Sequence, residues 1–267
     1  MLRSIGGRLE QQAPGEAGPV GGSKFDSAPR SRLRTDIEGL RAIAVIAVIL
    51  YHAEVPGVSG GFAGVDVFFV ISGYLITNRL VWEAGSGSGV AFRDFYARRV
   101  RRILPMANLV IIITIAIAVM TESRLQLAQS MGPDARAAAL FFSNVRFAAT
   151  GTTYLGEAGS VSPFLQYWSL SVEEQFYLLW PALMMLVAAV AARAAKPVRA
   201  LAAVALGIVV AVSFSLSLHF SAARPIDAFF VLQYRAWELG VGALVAVCAS
   251  ELMRLTRPIN GALAIVG

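Results

Sequence analysis

Apolar windows of about 20 residues, the length that carries a helix across a hydrocarbon core, recur along most of this 267-residue chain. The pattern predicts an all-α fold, a polytopic bundle of transmembrane helices with about six complete spans and the start of a seventh. The first span is expected at 37–55, closed by Pro56-Gly57, and the second at 64–80, GVDVFFVISGYLITNRL. A basic stretch, FRDFYARRVRRILP at 92–105, separates the second span from a third at 103–120. Spans at 169–192, 198–218 and 226–249 follow, and GALAIVG at 261–267 reads as the first turns of another. The piece between, DARAAALFFSNVRFAA at 134–149, is short and carries Arg136 and Arg146. Counting it as a crossing would put Arg193, Lys196 and Arg199 outside, so it is expected to be an interfacial or partly inserted helix.

Composition agrees with this pattern. Hydrophobic residues make up 57% of the chain and charged residues 15%, with a mean hydropathy of +0.64, outside the range of soluble domains. Packing between spans, within membrane lipids, is then what holds the fold together. Residues 1–35, rich in Gly, Pro, Ser and Arg, read as a disordered basic tail preceding a membrane domain at 36–267. The net charge of +6 comes from basic residues that flank the spans. This fits the positive-inside rule with a cytoplasmic N-terminus better than it fits a nucleic-acid partner. Cys248 is the single cysteine, which excludes an internal disulfide and a cysteine-based metal site, and no metal is expected.

Ionisable residues inside apolar spans carry the candidate chemistry. The first span contains RAIAVIAVILYH, in which Arg41 and His52 are eleven residues apart, about three helical turns. They share a face and lie roughly 16 Å apart along the axis. At the entry of the fourth span, WSLSVEEQFYLLWP, Ser171 and Glu174 have capping-box spacing, which leaves Glu173 to pair with the imidazole of His52. Asp66, near the outer end of the second span, is the other carboxylate able to do so. Arg98, Arg99, Arg101 and Arg102 suit either a topology anchor or an anion site. Arg235 and Glu238, at i, i+3 spacing, can neutralise each other within the membrane. His219, beside Phe220 at an outer helix end, reads as a surface residue.

Five ordered stretches, DIEGLRAIAVIAVILYH, GGFAGVDVFFVISGYLIT, FRDFYARRVRRILP, WSLSVEEQFYLLWP and RAWELGVGAL, resemble the membrane acyltransferase 3 family, the O-antigen acetylase type. The resemblance implies an integral membrane O-acyltransferase of the plasma (inner) membrane. It would move an acyl group, typically acetyl, from cytoplasmic acyl-CoA to a hydroxyl of a surface carbohydrate or glycolipid, with acyl-CoA as substrate and no bound cofactor. It implies His52 as the catalytic residue paired with Arg41, the four arginines as the CoA-phosphate site, and Glu173, Glu174, Arg235 and Glu238 as further motif residues. In this picture Glu173 orients His52, while Ser72 or a backbone N–H near Gly73 helps to stabilise the oxyanion. His52 acts either as a general base or as a covalent acyl carrier. The family's membrane domain usually has about ten spans, so this chain would end inside its seventh. Two other functions compete: a proton-coupled transporter, since intramembrane His, Glu, Asp and Arg also mark ion pathways, and an inactive scaffold.

Overall fold

The computed structural model describes residues 35–85, 92–121, 123, 127–152, 154, 162–249 and 251–252. The expected tail (apart from Thr35) and the expected start of a seventh span at 261–267 lie outside these residues. Every regular element among the described residues is helical, as expected. In chain order they are α1 (Thr35–His52), a 3-10 turn (Gly61–Ala63), α2 (Gly64–Gly85), α3 (Phe92–Thr121), a π-helical turn (Leu127–Met131), α4 (Gly132–Ala139), α5 (Ser143–Ala149), α6 (Tyr167–Arg193), α7 (Val198–Ser221), α8 (Pro225–Phe230) and α9 (Leu232–Val247).

Among the described residues, five helical segments are long and apolar enough to cross a membrane: Gly61–Val81, Arg93–Thr121, Tyr167–Arg193, Val198–Ser221 and Pro225–Val247. α1 is not among them, because its 18 residues include Asp36, Glu38 and Arg41. The outer surface is apolar all the same. Ile43, Ile46 and Ile49 of α1 and Ile112, Ile117 and Met120 of α3 are exposed, as side chains facing lipid are.

The helices diverge from the sequence expectations at four places. α1 stops at His52 rather than at residue 55, since the residue before Pro56 is biased away from the helical region and Glu54 adopts φ 52°. The basic stretch is not a separate interfacial segment. It forms the first turns of α3, which runs unbroken for 30 residues, about 45 Å, with Pro105 inside it. The piece at 134–149 is two short helices, broken where Phe141 takes φ 55° and Phe142 N–H bonds to the Ala137 carbonyl. The last span is also divided, at Val231, whose ψ of 134° separates α8 from α9.

Two seams position the site. Gly73 and Gly242 bring α2 and α9 into backbone contact: a Cβ on Gly73 would lie 1.8 Å from the Leu239 carbonyl oxygen, and one on Gly242 the same distance from that of Val70. Small residues at a helix crossing are the usual basis for close packing within a bilayer. On the other flank, Gly61 lies against Ala47 and Tyr51, and Gly64 against Ala44 and Val48, so α2 descends as α1 rises. α6 carries the aromatic centre of the core. Trp168 and Trp180 are buried, and the Trp180 indole N–H donates to Thr77 Oγ1 of α2 at 2.8 Å. α5 is fixed to α6 by polar bonds. The side-chain amides of Asn144 and Gln175 pair at 2.8 and 3.2 Å, and Ser143 N–H donates to Ser171 Oγ at 3.2 Å.

Candidate active site

His52 ends α1 with its ring exposed, and both nitrogens are occupied. Nδ1 lies 2.8 Å from the carbonyl oxygen of Val48, one turn back. A carbonyl only accepts, so this bond places the proton on Nδ1 and the lone pair on Nε2. Nε2 then accepts from the Tyr154 hydroxyl at 3.0 Å. Tyr154 stacks on Phe229, with centroids 4.9 Å apart, and meets Trp168 and His52 edge-on. Burial raises the pKa of the Tyr154 phenol, so it remains a proton donor. Glu173 is not the partner of this histidine, contrary to the sequence expectation, and neither is Asp66.

Beneath the aromatic group lies Arg235, with its guanidinium carbon 5.1 Å from the Phe229 ring centroid and 5.6 Å from that of Trp168. It donates to Glu238 Oε1 at 2.7 Å and to Asp66 Oδ1 at 3.0 Å. The expected Arg235–Glu238 pair therefore forms, and Asp66 joins it. The set is not closed, because Arg235 Nε and Glu238 Oε2 are buried without a hydrogen-bond partner.

A second centre joins α2, α3 and α6. Glu173 Oε1 accepts from Ser72 Oγ and from Tyr177 O–H, each at 2.5 Å. Arg99 donates to Glu174 Oε1 through Nη2 at 3.0 Å and through Nε at 3.3 Å, reaches Glu173 at 3.9 Å, and lies over the Tyr177 ring. Tyr167 O–H donates to the Ala107 carbonyl and Tyr96 O–H to that of Leu178, which sets α3 antiparallel to α6 and brings Arg99 level with the two glutamates. These bonds overturn two expectations. Ser171 sits inside α6 and bonds to the Tyr167 carbonyl rather than forming a capping box, because the helix begins at Tyr167 and Glu174 is taken by Arg99. Ser72 is committed to Glu173, and the Gly73 N–H lies within the α2 ladder, so neither is available to an oxyanion.

The four arginines divide by helical position. Arg99 turns inward, whereas Arg98, Arg101 and Arg102 are exposed. Beside Arg99 is a cavity of about 360 Å³ with largely apolar walls, among them Ile103, Leu104, Leu140, Phe142 and Leu178, and with Glu174 and Gln175 as polar contributors. Arg41 is half-buried and touches Glu38 at 3.4 Å.

Depth can be read along the helices. Gly64 faces Ala44 and Val48, His52 is one to two turns above them, and Ser72 is eight residues below Gly64. The two centres are therefore roughly 20 Å apart along the axes, with Arg41 at an intermediate depth. This arrangement places an exposed imidazole, both of whose nitrogens are hydrogen-bonded, above a buried charged cluster.

Residues 34–253 match the acyltransferase domain family. The chain belongs to that family. Over 211 residues it is 36% identical to YrhL of Bacillus subtilis, whose name proposes it as a peptidoglycan O-acetyltransferase, a match covering 79% of this chain and 32% of the relative. It is 40% identical over 149 residues to the peptidoglycan O-acetyltransferase OatA of Listeria monocytogenes, covering 56% and 24%. It is 39% identical over 145 residues to the O-acetyltransferase OatA of Staphylococcus aureus, covering 54% and 24%. The chain thus spans a third or less of the length of these relatives. No solved structure matches it.

Within this acyltransferase domain, sequence reasoning singled out His52, Glu173, Glu174, Arg99, Arg235 and Glu238, but paired Glu173 with His52 and Glu174 with Ser171, grouped Arg99 with its neighbouring arginines, and left Asp66 out of the Arg235–Glu238 pair. It missed Tyr154, which stands alone in a Gly- and Thr-rich stretch, TGTTYLGEAG, with no periodic pattern to mark it. The Val48 carbonyl was recoverable, because any residue at the end of a helix has a carbonyl four residues back. Trp168 and Phe229 show their role only once α6 and α8 are packed together.

Proposed function

We propose that this domain transfers an acyl group, typically acetyl, from acyl-CoA to a hydroxyl of a cell-envelope carbohydrate, with His52 as general base. The observation that carries this reading is the Val48 bond to Nδ1, which fixes the tautomer so that Nε2 is the basic nitrogen at an exposed helix end. The names of the relatives, peptidoglycan O-acetyltransferase among them, support an envelope glycan as acceptor. In the step itself Nε2 takes the acceptor's hydroxyl proton, the oxygen attacks the thioester carbonyl, the C–S bond breaks, and the departing thiolate takes the proton back from the imidazolium. The backbone carbonyl of Val48 replaces the carboxylate that the sequence suggested as the orienting group.

On this reading the chain lies in the plasma membrane with its N-terminus cytoplasmic. The donor enters from the arginine-rich side of α3, where Arg98, Arg101 and Arg102 are exposed to meet phosphates, and its acyl end passes Arg41 on the way to His52. The Arg99–Glu173–Glu174 set holds α3 to α6 along that route. The test is transfer of label from radiolabelled acetyl-CoA to envelope carbohydrate in membranes carrying the protein. His52→Ala should lower it at least a hundredfold, the scale of general base catalysis, while leaving the protein in the membrane. Label transfer at the wild-type rate in that variant would overturn the reading, and substrate movement without acyl transfer would favour a transporter.

A further inference from the structure

No step of the acyl transfer uses the cavity beside Arg99. Among the described residues its walls come from α3, from the link between α4 and α5, and from α6, and none comes from α1 or α2. The neighbouring glutamates of α6 turn apart here: Glu173 meets Ser72 of α2, and Glu174 meets Arg99 and the cavity. The cavity therefore lies on a different flank of α6 from α2, the helix against which α1 packs. The route past Arg41 to His52 does not run through it.

Its mouth opens toward lipid. Val100, Leu140, Phe142 and Leu178 line it and are exposed on the outer surface of the bundle. The rim at 140–142 is held in place by α6. Phe141 keeps a φ of 55°, which a bulky side chain adopts only where its surroundings impose it, and Gln175 donates to its carbonyl at 2.9 Å. Lipid chains are as apolar as these walls, so a chain gains by entering only where it is packed more closely than in the bilayer. Three segments supply that packing around about 360 Å³, within the range of sites that hold small ligands.

One end of the cavity carries charge. Tyr96, Val100 and Ile103 line it, and Arg93 precedes them on the same face of α3, three residues before Tyr96 and seven before Val100. Arg93 is exposed and opens the stretch of α3 that is apolar enough to cross a membrane, so its guanidinium reaches the level of the lipid headgroups. Asp94 is turned about 100° away from it round the helix.

We propose that this cavity is a lipid site: it takes one acyl chain of an anionic phospholipid whose phosphate meets Arg93, and the bound chain holds α3 against α6. A chain lying against Arg99 and Glu174 also keeps water from that ion pair, which strengthens it.

The test is native mass spectrometry and thermal unfolding of the full chain in detergent. It is titrated with dioleoylphosphatidylglycerol or with dioleoylphosphatidylcholine, which has the same chains and no net charge. One phosphatidylglycerol should stay bound and raise the unfolding temperature, as a ligand of the folded state does. Phosphatidylcholine should bind about fivefold more weakly, the share of one arginine near a charged headgroup, and Arg93→Gln should remove that preference. Ile103→Trp fills the cavity from α3 and Leu140→Trp from its exposed rim, and each should lose the retained lipid. Equal retention of the two lipids by the wild type, or undiminished retention in a folded Trp variant, would reduce the lipid to an unselective coat and overturn the proposal. Displacement of bound phosphatidylglycerol by acetyl-CoA would make the cavity part of the donor path and overturn it too. These outcomes are read without acyl transfer, so they stand apart from the role of His52.

Discussion

His52 and Arg99 are both polar side chains on helices whose outer faces meet lipid, yet the chain supports them in opposite ways. His52 is exposed, held by one backbone carbonyl and one phenol. Arg99 is largely buried, held by two carboxylates and an aromatic face, with Ser72 and Tyr177 completing the coordination of Glu173. The difference follows from the cost of burying charge. A neutral ring at a helix end needs little support, whereas a guanidinium inside a bundle is stable only when its partners are complete. A group with few, exchangeable bonds can react, and one locked into a network can hold helices together.

Substitutions that break the network should therefore cost far more stability than those that touch the exposed sites. The largest effect is expected for Arg99→Ala, which leaves Glu173 and Glu174 facing each other with no cation: a loss on the order of 3 kcal/mol, seen as a lower unfolding temperature in detergent. Gly73→Ala comes next. Its methyl would strike the Leu239 carbonyl and force α2 from α9, at a cost of about 1–3 kcal/mol and with loss of the compact form in size-exclusion chromatography. Ser72→Ala removes one donor to a carboxylate that keeps Tyr177, so about 1.5 kcal/mol is expected in the same melts. At the small end, Arg101→Ala, on an exposed side chain, should shift stability by no more than about 0.5 kcal/mol. If its main effect is instead to raise the KM for acetyl-CoA, this would sharpen the division between structural and donor-facing arginines.

The sequence exposed the helical architecture because spans are written in long apolar runs that no tertiary contact has to complete. It also exposed the Arg235–Glu238 pair, since i, i+3 spacing brings two side chains together on any helix. The partner of His52 was hidden, because Tyr154 is 102 residues away and its position depends on stacking against α8 and α6. Four arginines on one stretch look equivalent until the antiparallel register of α3 and α6 selects Arg99. The breaks at Phe141 and Val231 carry neither Gly nor Pro. They arise from packing, with Gln175 of α6 bonding the Phe141 carbonyl at 2.9 Å, and leave no local mark.

The central claim is that His52 works from a backbone-fixed tautomer, independently of Glu173. It is tested most directly by comparing acetyl transfer to envelope carbohydrate by His52→Ala and Glu173→Gln in the same membranes, normalised to folded protein. The account predicts a loss of at least a hundredfold for His52→Ala and less than tenfold for Glu173→Gln. Equal, large losses in both would restore the carboxylate as the histidine's partner and contradict the account.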